Sequence, residues 1–402
     1  MSPRKFAKAL LFHTRRARIR TLAAPREMSW LRKKLHLPAN SPFDPLSPGA
    51  SASARIIPLD PGATFERAMP LLPSAPATAV TFFASRIHET TAPTYVAEFQ
   101  EGIAWGHPTG GVFTAEGQFA AAFTHDPSGA QQHTVWTRLR FPEPRRLAGK
   151  TLYLVTPEAT DNFHHWLIDL LPRLGLVRRA GHDLSSFDHV IVNHASRRYQ
   201  LGTLAQLGIS AEKLIVASDA LFVRCDLLVV PSLKQNHQTI PAADITFLRE
   251  AFLPTPPPIE KTRRIFLSRN DAAFRRLRNE AELQELLRAH DFEIISPGAL
   301  DLTAQARLFS EAAVIAGPAG AAFANLVFAS APAQVIEIVP PQWLSAFHWM
   351  ISARAGLSHT VVLGEGSVMR GVPDSSARQA DISIEPERLA AALDEIAVSA
   401  KA

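Results

Sequence analysis

The chain has 402 residues, 47% apolar and 20% charged, enough for two packed domains, and global disorder is excluded. A single cysteine, Cys225, excludes an internal disulfide framework and a thiolate zinc cage. The net charge of +5 sits at one end: residues 1–36 carry eleven Lys and Arg against one acid, Glu27, leaving residues 37–402 at −5 and weakening a nucleic-acid reading based on overall basicity.

In the basic arm, residues 1–36, the apolar stretch Ala9-Leu10-Leu11-Phe12 is too short for a secretory signal and is followed by arginines. The Arg-rich, acid-poor make-up fits a solvated arm, an organelle presequence, or an arm drawn to anionic lipid headgroups at about 1 kcal/mol per cation. Residues 37–78 hold nine prolines and little periodicity, which predicts a linker on the surface. From Ala79 short strands are predicted at Val80–Phe83, Tyr95–Phe99, Ile103–Trp105, Val112–Thr114 and Phe119–Phe123, with a hairpin turn over 115–118. After Lys150 the texture alternates. Strands at Leu152–Val155, Val190–Asn193 and Leu227–Val230 separate helices near 163–179, 198–207 and 243–252, implying a parallel sheet covered by helices. Residues 79–253 therefore read as one domain.

The proline run Pro254–Pro258 marks a stiff linker, residues 254–263, and the alternation resumes over 264–402. Its elements are strands at Ile265–Leu267, Glu293–Ile295, Val314–Ala316, Val335–Val339 and Val361–Leu363. Helices follow Asn279, a predicted N-cap with Glu282 three residues on, and fall near 303–312 and 386–398. Residues 312–336 are uncharged, but Gly317, Pro318, Gly320, Asn325 and Pro332 break them into strand, glycine loop, short helix and strand rather than a membrane span.

Open α/β sheets bind ligands at the carboxyl ends of their strands, and three constellations fall there. In the first, helical spacing puts His165 and Asp169 on one face, with Arg173 continuing it and Trp166 and Leu170 beneath. A carboxylate beside an imidazole suits a general base, and the same spacing also suits a structural Asp169–Arg173 pair. In the second, residues 261–278 hold seven cations and one acid around the strand end Ser268-Arg269, a guanidinium cluster suited to phosphate or to a solvated face. The third is the small-residue run Gly317-Pro318-Ala319-Gly320-Ala321-Ala322, with Asn325 and then Glu337 on the next strand. Its backbone amides suit a ligand phosphate and Glu337 a ribose, while tight helix–sheet packing uses such runs as well.

Taken in order, NFHHWLIDLLPRL, FLSRNDAAFRRLRNEAEL and GPAGAAFANLVFASAPAQVIEI resemble glycosyltransferase family 61, over about residues 95–365. The resemblance implies an α/β, GT-B-like fold: two Rossmann-like domains facing a cleft, with extra β-strands in the N-terminal, acceptor-side domain. It implies inverting transfer from a nucleotide sugar to a glycan or lipid-linked polysaccharide acceptor, as in capsular polysaccharide biosynthesis. It places the donor diphosphate on Arg269 and on Arg275 or Arg276, and the nucleotide along Ala319, Gly320, Ala321, Asn325 and Glu337. His165 and Asp169 match a His-Trp-x-x-Asp signature, and the base is Asp169 or His165 oriented by it.

The chain departs from the family pattern where Ala319 replaces a frequent His and Ala322 a Gly. That departure favours a rival reading as a non-catalytic binding or scaffold subunit. No Asp-x-Asp occurs, so no metal or other cofactor is expected. Nor is a nucleic-acid partner expected. The expected location is cytoplasmic, peripheral to the inner face of a membrane through residues 1–36.

Overall fold

The computed structural model describes residues 29–45, 47, 52–124, 131, 133–234, 239–253, 261–368 and 375–399. Most of the basic arm and the proline run after Leu253 thus lie outside the described residues. The chain divides into two compact units, one of Met1–Pro61 with Pro93–Leu233, the other of Gly62–Ala92 with Lys234–Ala402.

The first unit is organised by four parallel strands: β1 (Arg145–Tyr153), β2 (His189–Val192), β3 (Leu214–Val216) and β4 (Phe222–Pro231), in the order β4-β1-β2-β3. Val190, Ile191 and Val192 on β2, and Leu228, Val229 and Val230 on β4, have no exposed surface. Such continuous apolar runs are what a parallel sheet covered on both faces requires. Beyond β4 the sheet turns antiparallel, through Thr94–Gln100 and Ile103–Trp105, and the latter continues into Val112–Phe113 and Gln118–Phe119.

Two expected strands take other forms. Val80–Phe83 lies within a helix, Ala77–Ala84, because Ala79 and Phe83, four residues apart, are both fully buried while Val80 is exposed. The strand at Phe119 ends there, and Ala121–Phe123 is a 3₁₀ turn that buries Phe123 beside Tyr95 and Phe99. Within the proline-rich stretch, Ala39–Pro42 and Ala54–Asp60 pair into the first unit's sheet.

The second unit holds a wholly parallel sheet of β5 (Arg263–Leu267), β6 (Phe292–Ile295), β7 (Ala312–Pro318), β8 (Gln334–Val339) and β9 (Ser358–Leu363), in the order β6-β5-β7-β8-β9. Phe266, Ala316, Ile336, Ile338 and Val362 form one buried face with Leu283 and Leu287 of the helix Glu280–Ala289 and Leu389 and Leu393 of the helix Pro386–Ser399. Residues 312–336 form the expected strand, glycine loop, short helix and strand. Asn279 departs from its predicted capping role. Its side-chain amide donates to Glu282 and to Ile384 O at 2.8 Å, anchoring the C-terminal segment.

Residues 62–92 complete this unit. Leu71 exchanges backbone hydrogen bonds with His359 O (2.8 Å) and Val361 N (2.9 Å), covering the outer edge of β9. Arg67 and Glu89 form a buried ion pair, the Trp349 indole donates to Ala68 O at 3.1 Å, and Phe83 meets the Trp349 ring edge-on. Among the described residues no helix is long and apolar enough to cross a membrane.

Candidate functional site

In the first unit the chain leaves the C-terminal end of β1 and enters the predicted helix through a cap: Asn162 Oδ1 accepts from His164 N at 3.0 Å. The helix is not uniform. Phe163–His165 is α-helical, Trp166–Leu170 widens into a π turn with Leu171 N bonded to Trp166 O, and Leu171–Arg179 is α-helical again. Pro172 explains the widening, since it has no N–H to give to residue 168 and its ring would crowd that carbonyl.

The π turn carries the pair expected from the spacing. His165 Nδ1–H donates to Asp169 Oδ2 at 2.6 Å, with the Asp169 side chain 4% exposed and that of His165 18%. A carboxylate on Nδ1 fixes the tautomer and leaves Nε2 as the basic nitrogen. Trp166 and Leu170 are buried beneath, and the Trp166 indole donates to Thr203 Oγ1 at 3.0 Å.

The alternative Asp169–Arg173 pair does not take shape. The Arg173 guanidinium donates instead to Pro231 O (2.8 Å), Thr156 Oγ1 (2.9 Å), Val155 O (3.3 Å) and Tyr153 O (3.4 Å). It therefore ties together the C-terminal ends of β1 and β4, and its burial pushes it down to about 9. Two neighbours escaped sequence reasoning. Asn193 Oδ1 accepts from Thr156 N, and His194 Nδ1 lies 3.2 Å from Gln200 Oε1. Their signal was present: a polar Asn-His step directly after the buried strand Val190–Val192.

In the second unit β5 and β7 are neighbours at the point where strand order reverses, because β5 leads to β6 on one side and β7 to β8 on the other. The second and third constellations meet there. Arg269, directly after β5, lies against Gly320 of the loop after β7: a Cβ added at Gly320 would come 2.0 Å from Arg269 Nη1. Its guanidinium also donates to Phe274 O (2.9 Å) and Arg275 O (3.3 Å), and burial lowers its pKa.

Arg275 adopts a left-handed backbone, φ 56°, and its guanidinium stacks on the Trp343 ring at 4.6 Å. Burial first, then the neighbouring Arg269 cation, push it down to about 10, with Glu337 opposing. Its Nε is buried without a hydrogen-bond partner among the described residues. Arg276 takes a different course. Its backbone N–H and its guanidinium both bind Asp381, at 3.0 and 3.1 Å. Glu280, absent from the sequence expectations, accepts from Ser268 Oγ (2.6 Å) and Asn270 Nδ2 (2.8 Å) and thereby braces the loop.

The remaining residues of the third constellation divide by environment. Ala319 N–H donates to Ile338 O at 2.8 Å, Ala321 is half-buried, and Asn325 is buried, donating to Gln305 Oε1 (2.7 Å) and Ala322 O (3.0 Å). Glu337 has no exposed surface, and both its oxygens are engaged: His348 Nδ1–H donates to Oε1 at 2.5 Å and His359 Nε2–H to Oε2 at 3.2 Å. In this structure Glu337 thus holds two histidines instead of presenting a free carboxylate to a ribose. Ser352 Oγ–H donates to His359 Nδ1 at 2.8 Å, and the His348 ring stacks on Phe323. Burial favours a neutral Glu337, but the charge and hydrogen bonds of His348 and His359 outweigh it and hold the carboxyl at about 2.

Among the described residues no group of three or more His, Cys, Asp or Glu side chains is arranged to hold a metal ion. Comparison with curated proteins gives no match. The family model described as Glycosyltransferase 61 matches residues 163–336. That span opens at the helix bearing His165 and Asp169 and closes on β8, one residue before Glu337. The chain carries a glycosyltransferase family 61 domain over residues 163–336.

Proposed function

We propose that the protein is an inverting glycosyltransferase of GT-B-like architecture that moves a sugar from a nucleotide-sugar donor to a hydroxyl of a glycan or lipid-linked polysaccharide acceptor. The observation that carries the donor half is the placing of two half-buried guanidiniums, Arg269 and Arg275, at the β5–β7 reversal beside the Gly320 loop. Two cations crowded together and half-desolvated are poised for a dianionic partner, and a diphosphate supplies one.

His165 is the general base in this reading and Asp169 the group that orients it, because the Asp169 oxygen facing the ring is already bonded to Nδ1. The acceptor hydroxyl gives its proton to His165 Nε2 as its oxygen bonds to the anomeric carbon. The bond from that carbon to the diphosphate oxygen breaks on the opposite face, and the nucleoside diphosphate leaves with the electron pair. Arg269 and Arg275 stabilise the charge that develops on it, the electrostatic part a metal ion plays in other transferases. The basic arm, residues 1–36, draws the enzyme to an anionic membrane face on the cytoplasmic side, where lipid-linked acceptors are met. The net −5 of residues 37–402 fits a glycan rather than a nucleic-acid partner.

The test is a panel of nucleotide sugars incubated with the full chain and lipid-linked or free glycan acceptors, reading release of nucleoside diphosphate and the anomeric configuration of the product by NMR. Inverted product made in the presence of chelator supports the reading. Retained configuration, or release that depends on added metal, overturns it.

A further inference from the structure

The first unit has a cavity at the opposite end of β4 from Arg173. Its volume is about 440 Å³, and it is lined by Phe222 and Arg224, at the start of the ten-residue strand whose last residue, Pro231, bonds Arg173. At about 3.3 Å per residue the two ends lie nearly 30 Å apart, so this cavity is separate from the His165–Asp169 pair.

Its walls are polarised. Leu37, Ile103, Phe113 and Phe222 are buried and give an apolar floor. Arg32, Lys33 and Arg224 stand around it, half-buried or exposed, with one carboxylate, Glu116, on the same rim. Glu116 accepts from Ser53 Oγ at 3.0 Å, and Arg224 is held by a bond to Glu101 O at 2.9 Å. Neither Arg32 nor Lys33 has an ion-pair partner among the described residues. The backbone brings these cations to the floor by a specific turn. The helix Ser29–Lys34 ends with Leu37 N bonded to Arg32 O at 2.9 Å, and His36 takes a left-handed φ of 52°. That conformation is costly for a residue with a Cβ and persists where the surroundings enforce it.

Cations around an apolar floor that opens to solvent match one ligand chemistry, an anion joined to a hydrocarbon. We propose that this cavity binds an amphiphilic phosphate, a phosphate ester carrying a hydrocarbon chain. Its phosphate sits on Arg32, Lys33 and Arg224, and the first methylenes of its chain lie against Leu37, Ile103, Phe113 and Phe222. A membrane phospholipid and a lipid-linked sugar phosphate both have this chemistry. The cavity stands apart from the transfer reaction but shares Arg32 and Lys33 with the basic arm of the reading above, so it is tested with a soluble ligand, whose binding does not depend on attraction to a membrane.

Calorimetry of the full chain with decyl phosphate, inorganic phosphate and decanol tests it, alongside sedimentation with phosphatidylcholine vesicles with and without phosphatidic acid. Decyl phosphate is expected to bind at least tenfold more tightly than either half-molecule, since burying a few methylenes is enough for that factor, and with a negative heat-capacity change. Arg32→Glu with Lys33→Glu changes one half-buried and one exposed side chain of a short helix and is expected to weaken decyl phosphate tenfold or more with little change in melting temperature. Ala115→Trp, which fills the cavity without altering charge, is expected to weaken decyl phosphate and leave inorganic phosphate unaffected. Loss of phosphatidic-acid vesicle binding in Ala115→Trp, which leaves the charge of the arm intact, identifies a membrane lipid as the source, and loss of decyl phosphate binding alone in that variant identifies a single lipid drawn from solution. Equal affinities for decyl and inorganic phosphate, or variants that bind decyl phosphate like wild type, overturn the proposal.

Discussion

The guanidinium of Arg269 occupies the space that a side chain on residue 320 would need, Nη1 lying 2.0 Å from the point where a Cβ on Gly320 would stand. Gly320 has an extended backbone, φ −170°, which any residue adopts, so the glycine is required by the arginine and not by the turn. Gly320→Ala should therefore leave the fold intact, because the colliding atoms are the end of a flexible chain, and push Arg269 out of place. A hydrogen bond to a charged group contributes about 1.5–3 kcal/mol, so nucleoside-diphosphate affinity should fall about tenfold or more. Calorimetry alongside a melting curve checks this, and unchanged affinity would separate Arg269 from the donor.

Arg275 and Arg276 are adjacent in sequence and should behave differently. Arg275→Ala removes a half-buried cation stacked on Trp343 and should weaken nucleoside-diphosphate binding without any response to chelator. Arg276→Ala breaks a half-exposed pair with Asp381, worth at most about 1 kcal/mol, and should shift the melting temperature slightly with donor affinity unchanged. Equal losses of affinity in both variants would contradict this division.

Asp169→Asn keeps the shape of the side chain and removes the charge that orients His165. Turnover should fall by about 10²–10⁴-fold while donor affinity stays near wild type. Because Arg173 bonds the ends of β1 and β4 and leaves Asp169 to His165, no large change in melting temperature is expected. A stable Asp169→Asn protein with normal turnover would remove the residue from the mechanism.

Glu337 sets an acid limit on the second unit. Its folded pKa of about 2 lies below the ordinary glutamate value of 4.5, so its contribution is fully present above pH 4.5 and is lost as pH falls toward 2. His359 works in the same direction. Burial lowers its pKa from 6.5, so protonation in the unfolded chain begins to favour unfolding as pH drops below 6.5. Glu337→Gln should cost of the order of 3 kcal/mol at neutral pH. The gap between wild-type and variant stability in urea titrations should close between pH 4.5 and 2, and a constant gap would count against the coupling.

Much of this architecture was legible because buried parallel strands announce themselves as unbroken apolar runs, as at Val190–Val192 and Val335–Val339. The His165–Asp169 pairing was legible from spacing of four. What local pattern could not carry was set by partners distant in sequence. Glu337 reads as an open carboxylate until His348 and His359 fold onto it, and Asn279 reads as a cap until Ile384 arrives. The π turn is a middle case. Pro172 signals trouble inside a helix, but a kink, a break and a widened turn all answer it, and packing around Trp166 selects among them.

The strip of chain from Gly62 to Ala92 has a consequence for how the protein can be made. It emerges from the ribosome early, yet the edge of β9 that Leu71 covers is synthesised nearly three hundred residues later. Until then the strip has no template, and contacts of such long sequence separation form slowly. A gene fragment beginning at Lys234 would encode every strand of the parallel sheet and still leave β9 with bare amides and carbonyls, Trp349 without its Ala68 acceptor and Arg354 without Glu89. Such a fragment is a candidate for edge-to-edge aggregation, and any attempt to dissect the protein must carry residues 62–92 along with the C-terminal half.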